Sequence, residues 1–182
     1  MRNRHSVALR KTAVPVFMAL VLCLAACQHD IETPVLSCPG ITVTGTIQNT
    51  TRPMNLSTST IFRQQLDGGG TKMLSMEAVS DSFKLVLNLM DGPYPDATIG
   101  NDSLKLKTYV YSKTARLQSG LVVAAISNMG VYNYLNTDTS SITLDFINTK
   151  LKKVSGHFYF EADGHKVTGS GEFRNACYVT LP

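Results

Sequence analysis

Residues Lys153-Val154-Ser155-Gly156-His157-Phe158-Tyr159-Phe160-Glu161-Ala162-Asp163-Gly164-His165-Lys166-Val167-Thr168-Gly169-Ser170-Gly171-Glu172-Phe173 decide the fold. Two alternating runs, Val154 to Glu161 and Lys166 to Phe173, flank an Asp-Gly pair, which is a strong signal for a two-residue type I′ hairpin. Taking Asp163 and Gly164 as the loop predicts the register. Phe160 then faces Val167, Phe158 faces Gly169, Gly156 faces Gly171 and Val154 faces Phe173. Every member of that face is apolar or glycine, and a phenylalanine ring can lie over a bare glycine. The other face sets Glu161 against Lys166, Tyr159 against Thr168, His157 against Ser170 and Ser155 against Glu172. A slip of one residue would turn Glu161 and Lys166 into the core, so the pattern and the turn agree.

The same period of two recurs upstream. Ile142, Leu144 and Phe146 alternate with Thr143 and Asp145, ahead of a turn through residues 148–152. Residues 41–47 alternate as a first strand, and a turn over 49–54 leads to a second strand over 56–62. Residues 72–79 and 83–89 form a hairpin over Ser80-Asp81, with Phe83, Leu85, Leu87 and Leu89 on one face. In residues 104–111, Leu104, Leu106, Thr108 and Val110 oppose Lys105, Lys107, Tyr109 and Tyr111. The continuous apolar run 120–126 predicts a central strand buried on both faces, and a short piece over 131–135 follows.

Two stretches read as breaks. Gly68-Gly69-Gly70 is a flexible loop, because no Lys-Ser/Thr pair follows at phosphate-loop spacing. Residues 91–96 hold two prolines and a glycine, which break a ladder. About ten short strands with no helix after the N-terminal region predict an all-β domain. A single antiparallel β-sandwich is the expected form, with a closed lipocalin-like β-barrel as the alternative.

The N-terminus has a different character. Arg2, Arg4, Arg10 and Lys11 precede an apolar run from Ala13 to Leu24, and polar Gln28-His29-Asp30 follows soon after. A membrane span needs ~20 apolar residues, so this is a secretory signal. Leu24-Ala25-Ala26-Cys27 resembles the lipobox of bacterial lipoproteins. That resemblance implies cleavage before Cys27, lipidation of its thiol, and anchoring by two or three acyl chains, which exceed the marginal hold of one. Residues 1–26 are then signal, 27–40 lipidated N-terminus and tether, and 41–182 one β domain. Gln28 stands where an inner-membrane retention aspartate would be, so the resemblance implies the outer membrane. Asp30 and Glu32 are similar to the acidic surface-export signal of Bacteroidetes lipoproteins. The runs 141–146, 153–162 and 168–173 resemble the C-terminal end of uncharacterised Bacteroidetes-type outer-membrane lipoproteins, a family that implies compartment and fold but supplies no catalytic residue.

Charge and cysteines narrow the function. All 13 acidic side chains follow Cys27, while the signal holds four of the 17 Lys and Arg. The remainder balances, which leaves no basic field for nucleic acid. Cys38 and Cys177 survive beside the lipidated cysteine. In an oxidising envelope they either pair or stay as buried thiols, and pairing requires Cα atoms within ~7 Å. Asp91, Asp96 and Asp102, with Asn101, offer oxygen atoms that suit calcium, yet EF-hand spacing is missing and turn chemistry explains the same residues. His29 lies in the tether, and His157 and His165 fall at opposite ends of the hairpin, so no metal is expected. No Gly-x-Ser-x-Gly elbow or Ser-x-x-Lys motif occurs. The Ser170–His157 pair reads as a cross-strand hydrogen bond. Tyr109, Tyr111, Tyr132, Tyr134 and Tyr159 are candidate exposed rings for a glycan or protein ligand, although the chain has no Trp. The expectation is a non-catalytic, cofactor-free binding or assembly module held at a membrane by lipid. A barrel-type carrier of an apolar ligand and a hydrolase with an unrecognised site are the alternatives.

Overall fold

A curled antiparallel sheet accounts for most of the chain in the computed structural model, which describes residues 38–66 and 69–181. The expected signal, Cys27 and most of the expected tether lie outside the described residues. The strands are β1 (Thr42–Ile47), β2 (Thr50–Leu66), β3 (Gly69–Val79), β4 (Phe83–Tyr94), β5 (Thr108–Ser112), β6 (Leu117–Gln118), β7 (Gly120–Asn128), β8 (Val131–Tyr134), β9 (Thr137–Asn148), β10 (Lys153–Ala162), β11 (Val167–Cys177) and β12 (Val179–Thr180). A one-turn helix, α1 (Asp96–Ile99), interrupts them, closed by Thr98 and Ile99 donating to the Pro95 carbonyl. The spatial order is β6-β5-β9-β10-β11-β1-β2-β3-β4-β7-β8. β12 pairs in parallel with β2 at Thr60 and Ile61, beyond the point where the β1 ladder ends.

The domain is all-β, and its sheet is curled into a half-barrel. The sheet is continuous through the β1–β2 pair. β7 and β9 meet through side-chain hydroxyls. Ser140 Oγ donates to the Gly120 carbonyl at 2.8 Å and accepts from Val122 N at 3.0 Å, and Thr137 Oγ1 donates to the Val122 carbonyl at 2.6 Å. The core contains Phe83, Leu85, Leu87 and Leu89 from β4, Ile142 and Leu144 from β9, and Phe158, Phe160 and Phe173 from the last hairpin.

The last hairpin keeps its two faces but not its expected register. Ala162 pairs with Val167, so Asp163–Lys166 form a four-residue loop and the partners of Gly156 to Glu161 move by two, while a bulge between Val154 and Gly156 sets Val154 opposite Ala176. Phe160 now faces Gly169, Phe158 faces Gly171 and Gly156 faces Phe173, so each ring meets a glycine. On the other face Glu161 opposes Thr168, Tyr159 opposes Ser170 and His157 opposes Glu172. The turn is set from outside the hairpin. Asp138 Oδ2 accepts from Gly164 N at 2.7 Å and His165 N at 3.0 Å, while Asn136 N donates to Asp163 Oδ1 at 2.9 Å. These bonds hold Asp163, Gly164 and His165 at positive φ (54°, 70° and 62°), a run that a two-residue turn does not contain.

Other boundaries differ for similar reasons. β4 runs through Asp91-Gly92-Pro93-Tyr94 instead of breaking there, because its β7 partner stops at Leu89 and only β3 pairs with it beyond. Proline is tolerated where one side of a strand has no neighbour. Pro53 follows the same rule: β2 already pairs with β1 there, and β3 joins only at Asn55. The first turn is therefore Gln48-Asn49 rather than residues 49–54, both at positive φ (47° and 65°) as a tight hairpin requires. Gly69 and Gly70 belong to β3, and a Cβ at Gly70 would strike the Gln64 carbonyl. Gly68 lies outside the described residues.

Two faces are reassigned. Residues 104–107 precede β5, Leu106 and Val110 are exposed, and Tyr109 is the buried ring of that segment. In β9 a bulge between Leu144 and Phe146 turns Phe146 outward. β7 is buried on one face, with Leu121 and Val123 only half-buried on the other.

Candidate functional site

Two charged side chains occupy core positions at one end of the sheet. Lys72 continues the inward phase of Leu74, Met76 and Ala78 on β3, and Asp91 continues that of Leu87 and Leu89 on β4. They are cross-strand partners, and each is 0% exposed. A buried charge needs partners, and the 101–107 segment supplies them. Lys72 Nζ donates to Asn101 Oδ1 at 2.8 Å and to the Ser103 carbonyl at 2.9 Å, beneath the Tyr94 ring at 4.1 Å. Asp91 Oδ2 accepts from the Tyr94 hydroxyl and from Lys105 N. Its Oδ1 accepts no hydrogen bond, and Lys107 Nζ is 3.6 Å away. Burial, followed by the nearby Arg63 guanidinium, lowers the Lys72 pKa, and Asp91 and Asp102 oppose that shift. Burial, followed by Asp91, raises the Tyr94 and Tyr109 phenols. Tyr109 donates its hydroxyl to the Lys105 carbonyl at 2.7 Å.

A second carboxylate lies beside this cluster. Asp102 pairs with Arg63 and Lys152 and accepts from Thr180 Oγ1 at 2.9 Å. Burial alone would raise its pKa, but the bonds from Lys152, Thr180 and Arg63 hold it below the usual carboxylate value. Burial and the Asp102 charge push the nearby Tyr178 phenol up to about 12. Asp96 instead accepts from the Gln65 side-chain amide. The calcium candidates are thus separated: Asp91 and Asp102 face cationic partners, and Asp96 lies elsewhere. Among the described residues no group of three His, Cys, Asp or Glu is placed to hold a metal ion.

The outward face of the last hairpin holds the remaining candidates. His157 Nδ1 lies 3.0 Å from Asp145 Oδ2, and His165 pairs with Glu161. Tyr159 is 42% exposed and donates its hydroxyl to Glu161 Oε1 at 2.8 Å. In the ladder Tyr159 lies between Ser141 and Ser170, and Ser170 in turn opposes Thr46. The expected Ser170–His157 pair is not formed, because His157 opposes Glu172 and Thr143. Of the candidate tyrosines, Tyr134 and Tyr159 are exposed, Tyr111 and Tyr132 half-buried, and Tyr109 buried.

Cys38 and Cys177 are joined by a disulfide, with Cα atoms 5.7 Å apart. The pairing of β1 with β11 brings these distant positions together. Beside it lies a depression of about 320 Å³, lined in part by Cys38, Ile41, Val43, Pro53, Met54 and Leu56.

No protein-family model, curated protein or solved structure matches this chain. The functional reading therefore rests on its own residues. The buried cluster is inaccessible to a large ligand, whereas the Tyr159 face is open and rich in hydroxyl and carboxylate groups. Lys72 is the site residue that alternation announces least, since its phase marks it as core and its charge marks it as surface. Its neighbours Leu74, Met76 and Ala78 carry the signal.

Proposed function

We propose that this chain is a lipid-anchored outer-membrane lipoprotein, tethered through Cys27, whose β domain is a non-catalytic binding module. The observation that carries the binding reading is Tyr159. Its ring is exposed at the centre of a sheet face, flanked in the ladder by Ser141 and Ser170 and bonded to Glu161. A ring of this kind stacks on the C–H face of a sugar, while hydroxyls, carboxylates and His157 satisfy its polar groups. A glycan is the ligand class this face suits best. The apolar-carrier reading is less favoured, because Phe158, Phe160 and Phe173 fill the sheet interior against glycine. The hydrolase reading is less favoured because Ser170 stands opposite Tyr159 rather than His157.

The test has two arms. Radiolabelled palmitate should enter the wild type and not Cys27→Ala, and equal labelling would end the anchor reading. The chain from Gln28 onward should bind on a glycan array, and Tyr159→Ala should lower that binding at least tenfold without changing the melting temperature. Unchanged glycan binding in Tyr159→Ala would overturn the assignment of this face.

A further inference from the structure

We propose that Lys72 and Asn101 form an intramolecular amide cross-link after the chain has folded. The structure places a buried amine in hydrogen-bond contact with a carboxamide, and a buried carboxylate lies across the ladder from the amine. Lys72 is wholly buried and its Nζ is 2.8 Å from Asn101 Oδ1, one bond from the carbonyl carbon Cγ. Asp91 is wholly buried directly across the β3–β4 ladder. One of its oxygens, Oδ1, accepts no hydrogen bond. The Tyr94 ring covers the amine at 4.1 Å.

The carboxamide is also prepared for attack. Asn101 Oδ1 accepts from Ser103 N at 3.0 Å and from Ser103 Oγ, so two donors besides Lys72 converge on it. Donors fixed on a carbonyl oxygen stabilise the negative charge that develops there when a nucleophile adds to its carbon. Holding amine and amide together replaces a bimolecular encounter with an intramolecular one. Asn101 is itself exposed, which gives the leaving group a route to solvent.

The reaction balances without any co-reactant. The Lys72 ammonium passes a proton to Asp91, and the free Nζ pair adds to Asn101 Cγ. The new Nζ–Cγ bond forms, the charge rests on Oδ1 under the Ser103 donors, and one proton passes from Nζ to Nδ2. The Cγ–Nδ2 bond then breaks, ammonia leaves, and the proton held by Asp91 goes out with it as ammonium. Amine plus carboxamide become a secondary amide plus ammonia, with no change of oxidation state. Burial already lowers the Lys72 pKa, which brings the neutral amine within easier reach. The product ties β3 covalently to the segment after α1 and clamps one end of the half-barrel. This inference does not depend on the binding reading.

Intact mass spectrometry of the purified folded chain, followed by tryptic mapping, tests it. The expected result is a mass one ammonia below that of the disulfide-bonded sequence, with a branched peptide joining the Lys72 and Asn101 segments. Asn101→Ala and Lys72→Arg should each show the full mass for their sequences and no branched peptide. A folded wild type at full mass would overturn the proposal. So would loss of ammonia without the branched peptide, because a succinimide at Asn101 alone gives that mass. The wild-type measurement decides the matter even where a variant fails to fold.

Discussion

The Phe160 ring lies against Gly169 of the neighbouring strand, in the space that a Cβ at that position would occupy. The Thr46 carbonyl would also stand 2.9 Å from that Cβ, so the site is closed on both sides. Overpacking of a filled core costs about 1–3 kcal/mol. Gly169→Val should therefore lower the unfolding free energy by an amount in that range, read as a lower urea midpoint at unchanged slope. Combining Gly169→Ala with Phe160→Leu should lose less than the two single changes added together, since the smaller side chain relieves the contact. Strict additivity would mean that ring and glycine do not bear on each other.

Ser140 is a second point where few atoms carry much of the architecture. Its hydroxyl serves the Gly120 carbonyl and the Val122 amide together, across the meeting of β9 and β7. Ser140→Ala leaves a buried donor and a buried acceptor without this partner, at about 1–3 kcal/mol. Hydrogen exchange at Val122 should accelerate in the variant more than exchange at Phe158 or Phe160. Uniform acceleration would mean that Ser140 acts only through global stability.

The disulfide joins positions 139 residues apart, and the chain-entropy account assigns the largest effects to such long loops. Paired Cys38→Ser and Cys177→Ser substitutions should cost about 2–5 kcal/mol in a urea melt. The wild type melted under reductant should fall to the same midpoint. A double variant as stable as the oxidised wild type would leave the closure without a thermodynamic role.

How much of this was legible in the sequence depends on whether the cause was local. Phe83, Leu85, Leu87 and Leu89 face inward as alternation predicts, because each strand's own period decides that. The Asp163–Lys166 loop is different: Asp138 and Asn136 shape it from the start of β9, and no rule about Asp-Gly contains them. Tyr109 is buried because its hydroxyl finds the Lys105 carbonyl, which frees the ring to enter the core. Lys72 is buried because Asn101 and Ser103, 29 and 31 residues away in sequence, meet its amine. Alternation places a side chain on a face, but it does not say which polar groups will be waiting there. That limit also hid the separation of Asp91, Asp96 and Asp102, which look like neighbours along the chain and bind different partners.

Asp102 turns the last of these points into a pH prediction. It is 4% exposed, and its pairs with Lys152, Thr180 and Arg63 keep its folded pKa below the ordinary 3.8. A carboxylate whose pKa is depressed on folding adds stability above its unfolded value, and that stability fades as pH falls through the folded value. The contribution is therefore complete at neutral pH and is lost only in acid below the ordinary carboxylate value. Asp102→Asn removes the charge and leaves Arg63 and Lys152 without their anion, at about 1–3 kcal/mol. The gap in melting temperature between wild type and Asp102→Asn should be widest near neutrality and close steadily as the pH drops through the acid range. A gap that stays constant into strong acid would show that Asp102 acts by shape and hydrogen bonding alone, with no stabilisation from its charge.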